Sequence, residues 1–119
     1  MLHDITTTEH IHELVHTFYN KMITNQQLKH HFEGLHLENH LQFIEQFWQL
    51  VLLDIPGYIH NVMQKHVHLQ LTENDFDVWL NLFNTTVDDL FFGANASLAK
   101  NRANLIAITM KIKLIKKNS

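Results

Sequence analysis

Residues 66–83 read H-V-H-L-Q-L-T-E-N-D-F-D-V-W-L-N-L-F, and the second half of this stretch carries the pattern of a long buried helix. Thr72-x-x-Asp75 has the form of a capping box, in which two side chains satisfy free backbone N–H groups at a helix start. The apolar residues that follow recur every three or four positions, as on one face of a helix. The pattern predicts a helix that Gly93 ends, with His66 a few residues before its start. The apolar face comprises Phe76, Trp79, Leu80, Phe83, Val87 and Leu90.

Two further long helices are predicted upstream. The first covers about residues 8–23, where the apolar residues share one face and T-T-T-E at residues 6–9 has the form of a capping box. The second covers about residues 37–53. The sequence D-I-P-G at residues 54–57 ends it, because proline cannot continue a helix.

The remaining segments complete an all-α pattern. Residues 28–32 are predicted to form a short helical turn that Gly34 ends, and residues 60–68 a short irregular helix. A last long helix is expected from about Ala96. No segment alternates convincingly between apolar and polar residues. Four long helices with short connections suit either a four-helix bundle or a reduced globin.

Composition places the chain among ordinary soluble globular proteins. Its residues 1–119 are expected to form one domain, with 45% hydrophobic and 18% charged residues. The net charge of −3 gives no reason to expect nucleic acid as a partner. The absence of cysteine excludes disulfides, thiolate catalysis and cysteine-ligated metal centres. Because the chain has neither a run of about eighteen apolar residues nor a basic leader, we expect no membrane partner and a cytoplasmic location.

The eleven histidines include one pair that matches a known metal motif. His12-Glu13-Leu14-Val15-His16 has the form H-E-x-x-H, in which two histidines one turn apart hold zinc and the glutamate acts as base. Helical geometry turns these polar side chains away from the apolar face of the first helix. A catalytic zinc needs a third protein ligand and a walled cleft, and this face has no evident source of either. We therefore expect a solvated face.

Four other residues point to an interior site. His40 lies about 60° from the centre of the apolar face of its helix, Tyr19 lies at the edge of its own, and Trp79 lies within its own. Taken singly, each has a packing explanation, such as a core histidine bound to a backbone carbonyl. Together they supply three hydrogen-bond donors from three helices. His66, between two long helices, is either a surface histidine or an axial iron ligand, and the combination indicates a haem pocket.

The chain resembles the truncated haemoglobins, most closely their third group. The matching segments occur in the order and at the spacing of that family, across almost the whole chain. No single segment is decisive, but the ordered set is specific. The segments are L-V-H-T-F-Y-N-K-M (14–22), L-K-H-H-F (28–32), H-L-Q-F-I-E-Q-F-W (40–48), Y-I-H-N-V-M-Q-K-H (58–66), F-D-V-W-L-N-L-F (76–83) and R-A-N-L-I-A (102–107).

This resemblance implies a two-over-two globin fold, with haem b (iron protoporphyrin IX) held between two helix pairs. His66 falls at the position of the proximal iron ligand. Tyr19, His40 and Trp79 fall at distal positions that stabilise a bound gas. The expected walls of the haem pocket are Phe32, Ile44, Phe47, Trp48, Tyr58, Met63, Leu69 and Phe76.

The resemblance also implies the function. We expect reversible binding of O2, and of CO and NO, as in an oxygen-binding or oxygen-transport protein. The alternative is a haem enzyme that performs NO dioxygenation or peroxidase-like chemistry with an external reductase as partner. A haem-free helical bundle or a histidine-rich metal binder is the third class. The sequence carries no flavin or nicotinamide fingerprint that would supply electrons from within this chain.

Overall fold

The computed structural model describes residues 2–34, 37–58 and 71–115, with side chains described as far as residue 113. A 3-10 turn, Lys29–Phe32, follows the first helix, and a π-helical turn, Lys111–Ile115, continues the last. The short helix predicted at residues 60–68 lies outside the described residues. The four long helices predicted from the sequence are present: α1 is Thr8–Thr24, α2 is Leu37–Leu53, α3 is Glu73–Leu90 and α4 is Ala94–Met110.

The four helices pack as two pairs. Helix α1 packs against α2, and α3 packs against α4. The two pairs are joined because α1 also packs against α3, and α2 also contacts α4. This is the two-over-two arrangement expected from the sequence. Among the described helices, none combines the length and apolarity that a membrane crossing requires.

Phe83 of α3 lies at the junction of three helices and is completely buried. Its ring stacks on Trp48 of α2 at 5.0 Å and meets Phe18 of α1 edge-on at 5.1 Å, measured between ring centroids. Both geometries are favourable for aromatic pairs. The surrounding buried residues include Ile11, Leu14, Val15, Met22, Leu41, Leu52, Val87, Ala96, Ala99 and Ala103. The core is therefore built where the apolar faces predicted from the sequence meet.

Both predicted capping boxes lie at true helix starts, but in the first box the cap and its partner each lie one residue after the predicted Thr6 and Glu9. Thr72 caps α3 as predicted, with the Thr72 side chain accepting from the backbone of Asp75 and the Asp75 carboxylate accepting from the backbone of Thr72. Helix α1 is capped by Thr7, which accepts from the backbone of His10 at 3.1 Å. The His10 ring nitrogen Nδ1, and not the expected Glu9, accepts from the Thr7 backbone in return. An imidazole nitrogen thus replaces the usual carboxylate.

Gly93 begins a helix, contrary to the prediction that it ends one. Helix α3 ends at Leu90, and Gly93 is the residue that precedes α4. Glycine has no side chain to cap the helix, so Asp4 does it from the N-terminal segment. Its carboxylate accepts from the backbone N–H of Asn95 at 3.0 Å and of Ala96 at 2.9 Å. Burial alone would raise the pKa of Asp4, but these backbone hydrogen bonds hold it below its ordinary value.

Replacing Gly93 by alanine should be strongly destabilising. Gly93 has a φ angle of +149°, and a Cβ atom there would lie 2.5 Å from Asp4 Cγ. We expect the Gly93→Ala variant to lose about 3 kcal/mol of unfolding free energy, from backbone strain and steric overlap together. Gly34→Ala is the matched control, because Gly34 has a φ angle of +77° and open space around it. It should lose only about 1 kcal/mol in urea unfolding; equal losses would contradict the close approach of Asp4.

Candidate functional site

Tyr19 and His40 form a hydrogen-bonded pair between α1 and α2. The Tyr19 hydroxyl oxygen lies 2.9 Å from His40 Nε2, and their rings meet edge-on at 5.4 Å. Tyr19 is buried beside Phe18 on the apolar face of α1, and His40 is half-buried in the first turn of α2. The structure thus brings together two of the three predicted distal residues.

The Tyr19 hydroxyl remains protonated at any ordinary pH. Burial raises its pKa above the usual tyrosine value, because the phenolate would be desolvated. A neutral phenol carries one proton to donate and two lone pairs to accept with. His40 can accept that proton at Nε2, or donate to the tyrosine oxygen if Nε2 is protonated. The pair can therefore operate in two hydrogen-bonding directions.

Phe32 extends this site from the 3-10 turn. Its ring meets that of Tyr19 edge-on, with 5.9 Å between centroids. The turn is tied to the start of α3 through Asp75, whose carboxylate accepts from Gln27 Nε2 at 2.6 Å. The second carboxylate oxygen lies 3.2 Å from His31 Nε2, directly before Phe32 in the chain. Asp75 therefore positions the turn that carries Phe32.

The Asp75 carboxylate is ionised in spite of its burial. Only 3% of the residue is exposed, and burial alone would raise the pKa. Hydrogen bonds from the Thr72 backbone and from Gln27 and His31 outweigh this effect and hold the pKa below its ordinary value. A buried charge of this kind is tolerated because its oxygens are satisfied by donors.

Trp79 and Tyr19 both contact the ring of Phe18. The Trp79 ring centroid is 5.8 Å from that of Phe18 and 6.0 Å from that of Phe83. The side chain is half-buried on α3. The indole therefore belongs to the aromatic cluster of Phe18 and Phe83, which also contacts Tyr19 through Phe18.

The other predicted wall residues occupy three different surroundings. Trp48 is buried against Phe83, so its ring is part of the core. Phe47 meets Tyr58 edge-on at 5.4 Å, and partial burial raises the pKa of Tyr58. Ile44 is half-buried against the main core. Phe76 packs with a separate small cluster of Met110, Leu71 and Ile106.

The described residues fit a planar, largely apolar cofactor. Half-buried aromatic rings such as Phe32, Phe47 and Trp79 offer apolar surface, and Tyr19 and His40 offer a few placed polar groups. This combination is typical of small-molecule and cofactor sites. The predicted proximal ligand His66 and the predicted wall residues Met63 and Leu69 lie outside the described residues.

The H-E-x-x-H segment has a third neighbour that the sequence analysis missed. His12 and Glu13 are exposed as predicted, but the other motif histidine, His16, is half-buried. Glu45 of α2 lies 2.8 Å from His12 and 3.6 Å from His16. The expectation that no third ligand faces this motif was therefore wrong. Glu45 follows the buried Leu41 by one helical turn, which is the signal in the sequence that it faces α1.

A family model describing bacterial-like globins matches residues 1–113. The chain belongs to this family. Among solved structures, the globin is similar to a group III truncated hemoglobin from Campylobacter jejuni, with a TM-score of 0.87 and 24% identity over 96% of this chain and 95% of that one. This likeness confirms the predicted all-α, two-over-two truncated globin fold. Among curated proteins, none matches this chain.

The Asp75 network should make the globin sensitive to acid. A carboxylate with a depressed pKa in the folded state contributes stability above its unfolded pKa, and this is lost as pH falls through the folded value. We expect Asp75→Asn to lose about 2 kcal/mol of unfolding free energy at pH 7, because it weakens charged hydrogen bonds in a buried place. The variant should also lose less stability than the parent between about pH 5 and 2.

Glu73→Gln is the matched control for this prediction. Glu73 is an exposed carboxylate in the same first turn of α3. Removing its charge therefore tests only the interaction of a carboxylate with the helix dipole. Urea unfolding measured from pH 7 to pH 2 distinguishes the two variants. If the unfolding free energy of Asp75→Asn falls with pH as steeply as that of the parent, the Asp75 charge makes no specific contribution to stability.

Proposed function

We propose that this globin binds haem b and holds O2 on it reversibly, with CO and NO as further ligands. The observation that carries the proposal is the 2.9 Å hydrogen bond between buried Tyr19 and half-buried His40, set beside half-buried aromatic rings. A polar pair that contacts only core side chains would add little stability over apolar side chains at the same positions. The same pair beside a cofactor supplies hydrogen bonds to a ligand. Membership of the globin family supports the choice of haem.

His66 is proposed as the proximal ligand. The position is taken from the resemblance of the segment Y-I-H-N-V-M-Q-K-H, residues 58–66, to the truncated haemoglobins. His66 would hold the haem iron, and an iron held by one histidine from the protein would be able to bind a diatomic gas. The neutral imidazole is the form that ligates, and its second ring nitrogen would donate to a carbonyl or carboxylate that fixes the ring.

The proton on Tyr19 decides how the distal pair would act. One hydroxyl proton cannot be donated to His40 and to a gas at the same time. For Tyr19 to donate to the gas, His40 must donate from Nε2 to the tyrosine oxygen. This direction is available because the 2.9 Å contact fits either donor. His40 would then orient Tyr19, while Tyr19 bonds the ligand.

Trp79 and the aromatic residues complete the proposed pocket. The indole N–H of Trp79 would add a second donor from α3, next to Phe18. Phe32 would fix one side of Tyr19 through the contact described above. The proposed walls are Ile44, Phe47, Trp48, Tyr58, Met63, Leu69 and Phe76 together with Phe32. Trp48 would support the pocket wall from within the hydrophobic core, because its ring is stacked on Phe83.

Haem titration of the purified chain and of its His66→Ala variant tests the proposal. The parent should take up one haem per chain and show the absorption of histidine-ligated haem. The variant should lose that signature or release haem much faster, because the iron loses its protein ligand. Added imidazole should partly restore the signature in the variant. His30→Ala is the matched control, because His30 is an exposed histidine on the 3-10 turn.

Two outcomes would overturn the proposal. A parent chain with no absorption band of bound haem after titration would exclude a haem protein. A His66→Ala variant that holds one haem per chain with the absorption of the parent would exclude His66 as the ligand.

A further inference from the structure

Three side chains form a cluster on the outer face of the α1–α2 pair. His12 and His16 lie one turn apart on α1, with 3.8 Å between their ring centroids. Glu45 projects from α2 toward both, 2.8 Å from His12 Nδ1 and 3.6 Å from His16 Nε2. Each residue offers one ligand atom, and these three atoms all lie within 4.8 Å of one another.

We propose that His12, His16 and Glu45 bind a divalent transition-metal ion, with Zn²⁺ as the representative. Two imidazole nitrogens and one carboxylate oxygen are a common ligand set for zinc. Zinc holds such atoms at about 2.0–2.1 Å in tetrahedral geometry, so ligand atoms stand roughly 3.4 Å apart. The distances from the Glu45 carboxylate to the two imidazole nitrogens, 2.8 and 3.6 Å, lie on either side of this value. Side-chain rotations would bring the three ligand atoms, which lie within 4.8 Å of one another, to the spacing of a loaded site.

The exposure of the three side chains suits a site that loads from solvent. His12 and His16 are 60% and 40% exposed, so a metal ion can reach both rings and water can occupy a fourth position. Glu45 is only 15% exposed, which fixes its carboxylate against α1 before the metal arrives. The imidazole nitrogens favour zinc, copper or nickel over magnesium and calcium, which prefer oxygen ligands.

The arrangement favours a structural role over hydrolysis. Glu13, which would act as base in an H-E-x-x-H zinc hydrolase, is exposed and lies outside the cluster. The third ligand comes instead from the neighbouring helix. A metal held by His12, His16 and Glu45 would thus cross-link α1 to α2, the same pair that Tyr19 and His40 join. The bound metal would stabilise the folded chain, because the ligands are brought together only by folding.

Zn²⁺ binding to the full chain, cleared of metal with a chelator and kept in its purified haem state, tests this inference. Calorimetric titration should show one saturable site. Thermal unfolding should shift upward by roughly 5–10 °C at a hundredfold excess of Zn²⁺ over its Kd. His12→Ala, His16→Ala and Glu45→Gln should each weaken that site at least tenfold and, at the same Zn²⁺ concentration, remove at least about half of the shift.

Two control variants separate the site from general histidine binding. Glu13→Gln keeps both histidines but removes the motif glutamate, and His30→Ala removes a histidine elsewhere on the surface. Both should bind Zn²⁺ within about twofold of the parent, a difference well below 1 kcal/mol. The inference fails if the parent shows no saturable site. It also fails if the three cluster variants lose no more affinity than these controls. Neither result bears on haem binding.

Discussion

The packing of Phe83 against Trp48 and Phe18 is the constraint on which the rest of the molecule depends. These three rings come from α3, α2 and α1, and they meet at centroid separations of 5.0 and 5.1 Å. Removing a buried phenylalanine from such a place costs about 3–5 kcal/mol, which is a large part of a small domain's stability. The rings also fix the rotation of α1 and α2 about their axes. The same contacts place Tyr19, which follows Phe18, and His40, which precedes Trp48 on α2.

The proposed distal site follows from that packing. Phe18 faces Phe83, so the next residue, Tyr19, is turned by about 100° toward the start of α2. His40 lies about two turns before Trp48, turned by roughly 80° around α2, and meets Tyr19 there. The rotation that buries the aromatic core therefore also aligns the Tyr19–His40 hydrogen bond. Glu45, on another side of the same helix, is brought to His12 and His16 by the same rotation.

Features that depend on one helix could be predicted from the sequence. The apolar faces gave the bounds of α1 and α2 to within a residue, because the period of about 3.6 is a local property. The Thr72–Asp75 box could be predicted for the same reason. The first box was wrongly placed at Thr6 and Glu9, whereas Thr7 and His10 form it, since a histidine at the third helical position can accept the same hydrogen bond.

Features that depend on two segments could not be derived in this way. Glu45 is one of many polar residues on α2. Its position one turn after Leu41 indicates that it faces α1, but its contact with His12 depends on how α2 packs on α1. Gly93 was expected to end a helix, whereas the approach of Asp4 from the other end of the chain shows that it begins one. Tyr19 and His40 were expected to face one interior, and the family resemblance placed both at the distal side of a haem, but neither argument predicted the hydrogen bond between them. Their helical positions placed each at an apolar face but did not join them.

The O2 dissociation rate of the haem-loaded Tyr19→Phe variant tests the role of the distal pair most directly. The substitution keeps the ring in the core and removes the hydroxyl that is hydrogen-bonded to His40. One lost hydrogen bond of roughly 1.4 kcal/mol corresponds to a dissociation rate about tenfold faster than that of the parent. The CO dissociation rate should change less, because CO accepts a weaker hydrogen bond. An O2 dissociation rate equal to that of the parent would contradict the assignment of Tyr19 as the donor.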